Sequence, residues 1–118
     1  MYSHIMVGAN DIEESKAFYD SIFETLGYGP GVTDEQGRVF WMDKSGIFSI
    51  SKPINGESAC NGNGSTIGFA VKDTETGDKW HAAGIAAGGT DCEDAPGIRE
   101  GANGKMYLAY LRDPSGNK

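Results

Sequence analysis

Apolar residues recur at three- and four-residue spacing along the first quarter of the chain, where Phe18, Ile22 and Leu26 form one stripe flanked by Ala17, Ser21 and Thr25. That period predicts an amphipathic helix. Asp11 offers an N-cap carboxylate with Glu14 three residues on, and Gly27 supplies a left-handed stop, so the helix should run from Asp11 to about Leu26. His4 to Gly8, just before it, reads as a short extended start. Val39-Phe40-Trp41-Met42 and Ile47-Phe48-Ser49-Ile50 are rich in β-branched and aromatic residues, and Asp43-Lys44-Ser45-Gly46 joins them as a hairpin turn. Further on, Ile67 to Val71 is expected as a strand. Asp73 then caps a helix that ends near Ala87 at Gly88-Gly89, and Met106 to Leu111 forms a strand entering the turn Asp113-Pro114-Ser115-Gly116.

The order of these elements is a repeat. At an offset of 62, His4 falls on Thr66, Ile5 on Ile67, Asp11 on Asp73, Phe18 on Trp80 and Gly27 on Gly89; at an offset of 70, Asp43-Lys44-Ser45-Gly46 falls on Asp113-Pro114-Ser115-Gly116. The chain is therefore expected to be an α+β protein made of two tandem βαβββ-type modules that form a curved mixed sheet around a cavity. Residues 1–54 make the first module, residues 55–65 a linker rich in Gly, Asn and Ser, and residues 66–118 the second, all within a single domain of 1–118. Side chains alternate along a strand, so His4, Met6 and Gly8 should share one face of the first strand, and Phe48 and Ile50 one face of the fourth. The first module follows its turn with a strand from Ile47 to Ser51. The second follows its turn with only Asn117 and Lys118, so its last strand is missing, and a natural version is expected to continue past Lys118.

At 118 residues the chain suits one compact core, and no window approaches the ~20 apolar residues of a membrane span. No secretory pattern opens the sequence, so a cytoplasmic location is expected. The net charge of −7 repels phosphate backbones and anionic lipid, which argues against nucleic-acid or membrane partners and for a neutral or cationic small ligand. Cys60 and Cys92 match no metal or redox spacing and read as free thiols. Asn61-Gly62-Asn63-Gly64 lacks the Lys-Ser or Lys-Thr of a phosphate loop and reads as a turn, and His81 should face outward from the second helix.

Several stretches carry a resemblance: His4-Ile5-Met6-Val7 leading to Asp11, Ala17-Phe18-Tyr19 with Leu26-Gly27-Tyr28, Gly62-Asn63-Gly64 before Ile67, and Leu111-Arg112-Asp113-Pro114-Ser115-Gly116-Asn117-Lys118. Together they span nearly the whole chain and resemble the vicinal-oxygen-chelate superfamily of glyoxalase, bleomycin-resistance and extradiol-dioxygenase proteins. In its metal-dependent members the resemblance implies four ligand positions. One falls on His4, which fits; its counterpart falls on Thr66, a poor donor; the third falls on Ile50, which cannot coordinate, or on Ser49 or Ser51 after a one-residue slip; the fourth lies beyond Lys118. A Zn, Ni, Mn or Fe site is thus weakly supported, with His4 the one candidate metal ligand. The metal and carboxylate base that glyoxalase-type isomerisation requires are not legible here.

Two functions from different classes remain in view. One is a small-molecule binding protein without a complete metal centre, whose ligand would touch His4, Trp41, Phe48, Ile50, Thr66, Tyr107 and Tyr110. The other is a metal-dependent glyoxalase- or dioxygenase-type enzyme acting on a small oxygenated substrate, with ligands completed beyond Lys118 or by a partner chain. Open sheets of this kind are usually covered by twofold pairing, so a homodimer is expected.

Overall fold

The computed structural model describes residues 1–118. Its elements, in chain order, are β1 (His4–Gly8), α1 (Ile12–Thr25), β2 (Val32–Thr33), β3 (Val39–Asp43), β4 (Gly46–Ser51), α2 (Thr74–Ala86), β5 (Thr90–Asp91), β6 (Gly97–Gly101), β7 (Gly104–Leu108) and β8 (Leu111–Arg112). The duplicated caps form as the repeat requires. Asp11 accepts from the Glu14 N–H at 3.0 Å and Asp73 from the Thr76 N–H at 2.7 Å, each satisfying one of the orphan donors at a helix start. Both helices end on a glycine at positive φ, Gly27 at 90° and Gly88 at 97°. After α1 the Tyr28 N–H reaches back to the Phe23 carbonyl and the Gly27 N–H to that of Glu24, a double closure that also stacks Tyr28 edge-on against Phe23 at 5.9 Å.

The first half makes a four-stranded mixed sheet in the order β1-β4-β3-β2, with β1 parallel to β4 and the other pairs antiparallel. Its register places Ile5 beside Phe48 and Trp41, and Val7 beside Ile50 and Val39. Those side chains face the helices and build the core with Phe18, Tyr19, Ile22, Phe23 and Leu111. Each fully buried residue of this kind contributes roughly 2 kcal/mol of apolar transfer energy. The opposite face carries His4, Ile47 and Met42 in one row, and Met6, Ser49, Phe40 and Val32 in the next.

The second half departs from expectation in two places. Ile67 to Val71, expected as a strand, pair with no strand. They do alternate exposed and half-buried positions, with Ile67 and Phe69 packed on the core. What they lack is a ladder neighbour: their backbone bond runs from the Ile67 N–H to the Lys118 carbonyl at 3.0 Å. The run from Met106 to Leu111 is likewise broken, since β7 ends at Leu108 against β6 and β8 resumes at Leu111 against β5. The α+β class therefore stands, while the sheet comes in three hydrogen-bonded pieces rather than one.

The C-terminal turn fastens the two halves together. Asp113, 5% exposed, accepts from the Tyr19 hydroxyl of α1 at 2.8 Å, from the Ser115 and Asn117 amides at 2.9 Å each, and from the Asn117 side chain at 2.8 Å. Asn117 also donates to the Gly8 carbonyl, and the Ser115 hydroxyl accepts from the Asn10 N–H. Burial, and then the Asp113 charge, hold the Tyr19 hydroxyl well above its ordinary pKa, so it stays a donor.

Candidate functional site

Aromatic side chains from four separated segments meet at the end of the first sheet, where β1 begins and β3 turns into β4. They enclose a cavity of about 230 Å3. Phe23 from α1 lies 5.5 Å from Phe48 on β4 and 5.0 Å from Phe69, and Phe48 lies 5.3 Å from Phe69, all near edge-on. Trp41 and Tyr28 complete the wall. Trp41 is anchored from behind: its indole N–H donates to Asp20 at 3.0 Å, and Asp20 also accepts from Lys16 and from the Gly31 amide. Burial pushes the Asp20 carboxyl up, but the bonds from Lys16, Gly31 and Trp41 outweigh it, so its pKa lies below the ordinary value. The backbone at Gly31 also presses on this side chain, since a Cβ there would come within 2.5 Å of the Trp41 ring.

The rim is polar and acidic. Asp43 accepts from the Ser45 hydroxyl and amide and from the Tyr28 hydroxyl at 2.9 Å. The Ser45 hydroxyl, with the Ser45 amide and Tyr28, lowers the Asp43 pKa, and the bond to Asp43 raises that of Tyr28. The carboxylate is therefore ionised and the phenol neutral at neutral pH. His4 sits on the same rim, exposed, with its Nδ1 bonded to the Ser3 hydroxyl at 2.8 Å. An aromatic box with one fixed negative charge at its mouth suits a small planar or cationic guest, through ring stacking and cation–π attraction.

The seven residues expected at a ligand site are divided by the fold. His4, Trp41 and Phe48 line this cavity together. Thr66, Tyr107 and Tyr110 line a second hollow together, and Thr66 also borders an open groove with Met6, Gly8 and Lys118. Ile50 is fully buried against the helices, on the face of the sheet opposite His4, and touches none of these spaces. Tyr28 and Asp43 belong to the cavity although composition and periodicity gave them no such role. The one signal was the repeated Asp-x-Ser-Gly turn. His81, expected to face outward, keeps 14% of its side chain exposed and bonds Asp91 of β5 at 2.7 Å.

Of the four metal positions implied by the resemblance, the three that fall within residues 1–118 do not converge. Ile50 and His4 point to opposite faces of the sheet, Thr66 lies in another groove, and no three His, Cys, Asp or Glu side chains come together anywhere in the chain. The residues present do not fit a four-ligand centre.

Two halves with matching helix caps and an aromatic-walled cavity beside an open sheet define the class as a small α+β fold. Comparison with solved structures takes this further. A glyoxalase/bleomycin resistance protein from Albidiferax ferrireducens T118 matches with 59% identity and a TM-score of 0.95, covering 99% of this chain and 94% of that one. The chain belongs to the glyoxalase/bleomycin resistance protein family. More distant likenesses, a glyoxalase-related enzyme from Fulvimarina pelagi (20% identity, TM-score 0.73, 99% and 83% covered) and a glyoxalase/bleomycin resistance protein/dioxygenase family enzyme from Burkholderia phytofirmans PsJN (22%, 0.65, 98% and 91%), share the fold. No family model and no curated protein matches.

Proposed function

We propose that this protein binds a small planar or cationic molecule in the aromatic cavity at the His4 end of the first sheet, without a complete metal centre. The observation that carries the reading is the convergence of Phe23, Tyr28, Trp41, Phe48 and Phe69 on one space whose rim holds the ionised Asp43. The volume, about 230 Å3, falls below the ~300–1,000 Å3 of drug-sized sites, so the guest has one or two rings. The net charge of −7 adds a long-range preference for cations.

Calorimetric titration with phenyltrimethylammonium, and with benzoate as the anionic counterpart, tests this. The cation should bind more tightly than about 1 mM, or roughly −4 kcal/mol, and benzoate should not bind measurably. Asp43→Asn should weaken the cation several-fold. Equal affinity for both probes, or none for either, contradicts the reading.

The metal-dependent alternative rests on His4, which is exposed and engages only Ser3 through Nδ1. It requires tight, stoichiometric uptake of Zn, Ni, Mn or Fe that disappears in His4→Ala, which metal analysis of the purified protein measures.

A further inference from the structure

Asn55, Asn61, Asn63 and Asn103 each stand directly before a glycine. In such a pair the glycine backbone nitrogen can attack the asparagine Cγ, because no Cβ obstructs the approach. The bond from Cγ to the side-chain nitrogen then breaks, ammonia leaves, and a five-membered succinimide remains. Water opens that ring at either carbonyl, giving aspartate or, with the chain rerouted through Cγ, isoaspartate. Closure has three requirements. The glycine N–H must be free to lose its proton, the side-chain amide free to rotate, and the backbone free to bend into the ring.

The fold separates the four pairs by these requirements. Asn55 is blocked throughout: its carbonyl accepts from the Glu57 N–H at 3.0 Å, its amide donates to the Glu57 carboxylate at 3.2 Å, and the Gly56 N–H is bonded to the Pro53 carbonyl at 3.1 Å. Asn103 lies in the turn of the β6–β7 hairpin, where Gly104 is held opposite Gly101 as the rung that closes the ladder. Asn61 and Asn63 differ from both. They are exposed, their side chains bond no protein group, and the bond that closes the segment runs from the Ser65 N–H to the Gly62 carbonyl at 3.0 Å, leaving the Gly62 and Gly64 nitrogens free. The flanks are fixed, so this freedom is local. Upstream, the Asn10 side chain grips the Ala59 backbone, accepting from its N–H at 2.6 Å and donating to its carbonyl at 3.2 Å; downstream, Ile67 packs on the core.

We propose that Asn61 and Asn63 form a spontaneous deamidation site in the linker between the two halves. Each conversion replaces a neutral amide by a carboxylate and so adds one negative charge to the net −7. Isoaspartate also adds a carbon to the backbone between the Ala59 clamp and Ile67, which lines the aromatic cavity with Phe69. In the folded protein these two pairs react ahead of Asn55 and Asn103, whose closure waits on local opening of the chain.

The test incubates the whole protein at neutral and at mildly alkaline pH, with a parallel sample unfolded in urea. Peptide mapping by mass spectrometry follows the exchange of NH2 for OH at each asparagine, and elution separates aspartate from isoaspartate. In the folded protein Asn61 and Asn63 should convert roughly tenfold faster or more than Asn55 and Asn103, with both products present and with rates that rise with pH. In urea the four rates should draw together, since all four share the same Asn-Gly chemistry. The double variant N61Q/N63Q should lose the early acidic forms seen by ion exchange. No conversion at Asn61 and Asn63, equal rates at the four sites in the folded protein, Asn55 or Asn103 reacting first, or the folded ranking persisting in urea would each overturn the proposal.

Discussion

Asp113 collects four donors in one buried carboxylate, and it ties the last turn to α1 through Tyr19. Removing it leaves those donors without a partner in a site with little water. Asp113→Ala should therefore cost about 3 kcal/mol in urea unfolding, more than its few atoms of packing would suggest. A loss under 1 kcal/mol would show that water replaces it easily. Tyr107 gives a pH-dependent counterpart. Its burial, and then its 2.6 Å bond to Asp78, push its pKa to about 12 from the ordinary 10.0. A raised folded-state pKa means the stabilisation is fully present below pH 10 and fades as pH climbs toward 12. The melting temperature should fall across that window, and less steeply in Tyr107→Phe. At this scale the sequence was partly legible. Asp113 stood out as a turn former, but its bond to a tyrosine 94 positions away is a product of the fold alone.

Both helices were readable from their caps and stripes because those signals are local. Strands β2 and β5, two residues each, carry no period long enough to notice. The strand expected at 67–71 had the right residues, but a ladder needs a neighbour as well as a propensity, and the expected run from Met106 to Leu111 divides because its two ends pair with different strands. Helix α2 packs closely through two glycines, Gly77 against Tyr107 and Gly84 against the core. A Cβ at Gly84 would lie 2.3 Å from the Leu111 side chain, 3.2 Å from Ile22 and 3.3 Å from Phe18, all within the core. Helix propensity favours alanine there by roughly 1 kcal/mol, yet three core side chains, Leu111 most of all, would have to shift to admit the methyl group, and that crowding is expected to dominate. Gly84→Ala is expected to destabilise the protein by about 1–3 kcal/mol net, measured by denaturant unfolding; a stabilised variant would refute this packing account.

For the molecule as a whole, the open face of the first sheet displays Met6, Val32 and Met42, all more than 40% exposed, beside half-buried Phe40 and Ile47. No element of the chain covers them. A homodimer through this face is the expected outcome of light scattering at micromolar concentration, and Met42→Lys should shift the population toward monomer; a strict monomer for the unaltered protein would contradict it. The site was legible only as separate residues. His4, Trp41 and Phe48 were identified from strand pattern and resemblance, whereas Tyr28 and Asp43 join them through a helix terminus and a hairpin turn, whose meeting point no periodicity encodes. The account depends most on where a ligand sits. NMR shift mapping with phenyltrimethylammonium answers that directly: the largest changes should fall on His4, Asp43, Phe48 and Phe69. Changes confined to Met6, Thr66 and Lys118 in the neighbouring groove, or spread evenly over the acidic surface, would contradict it.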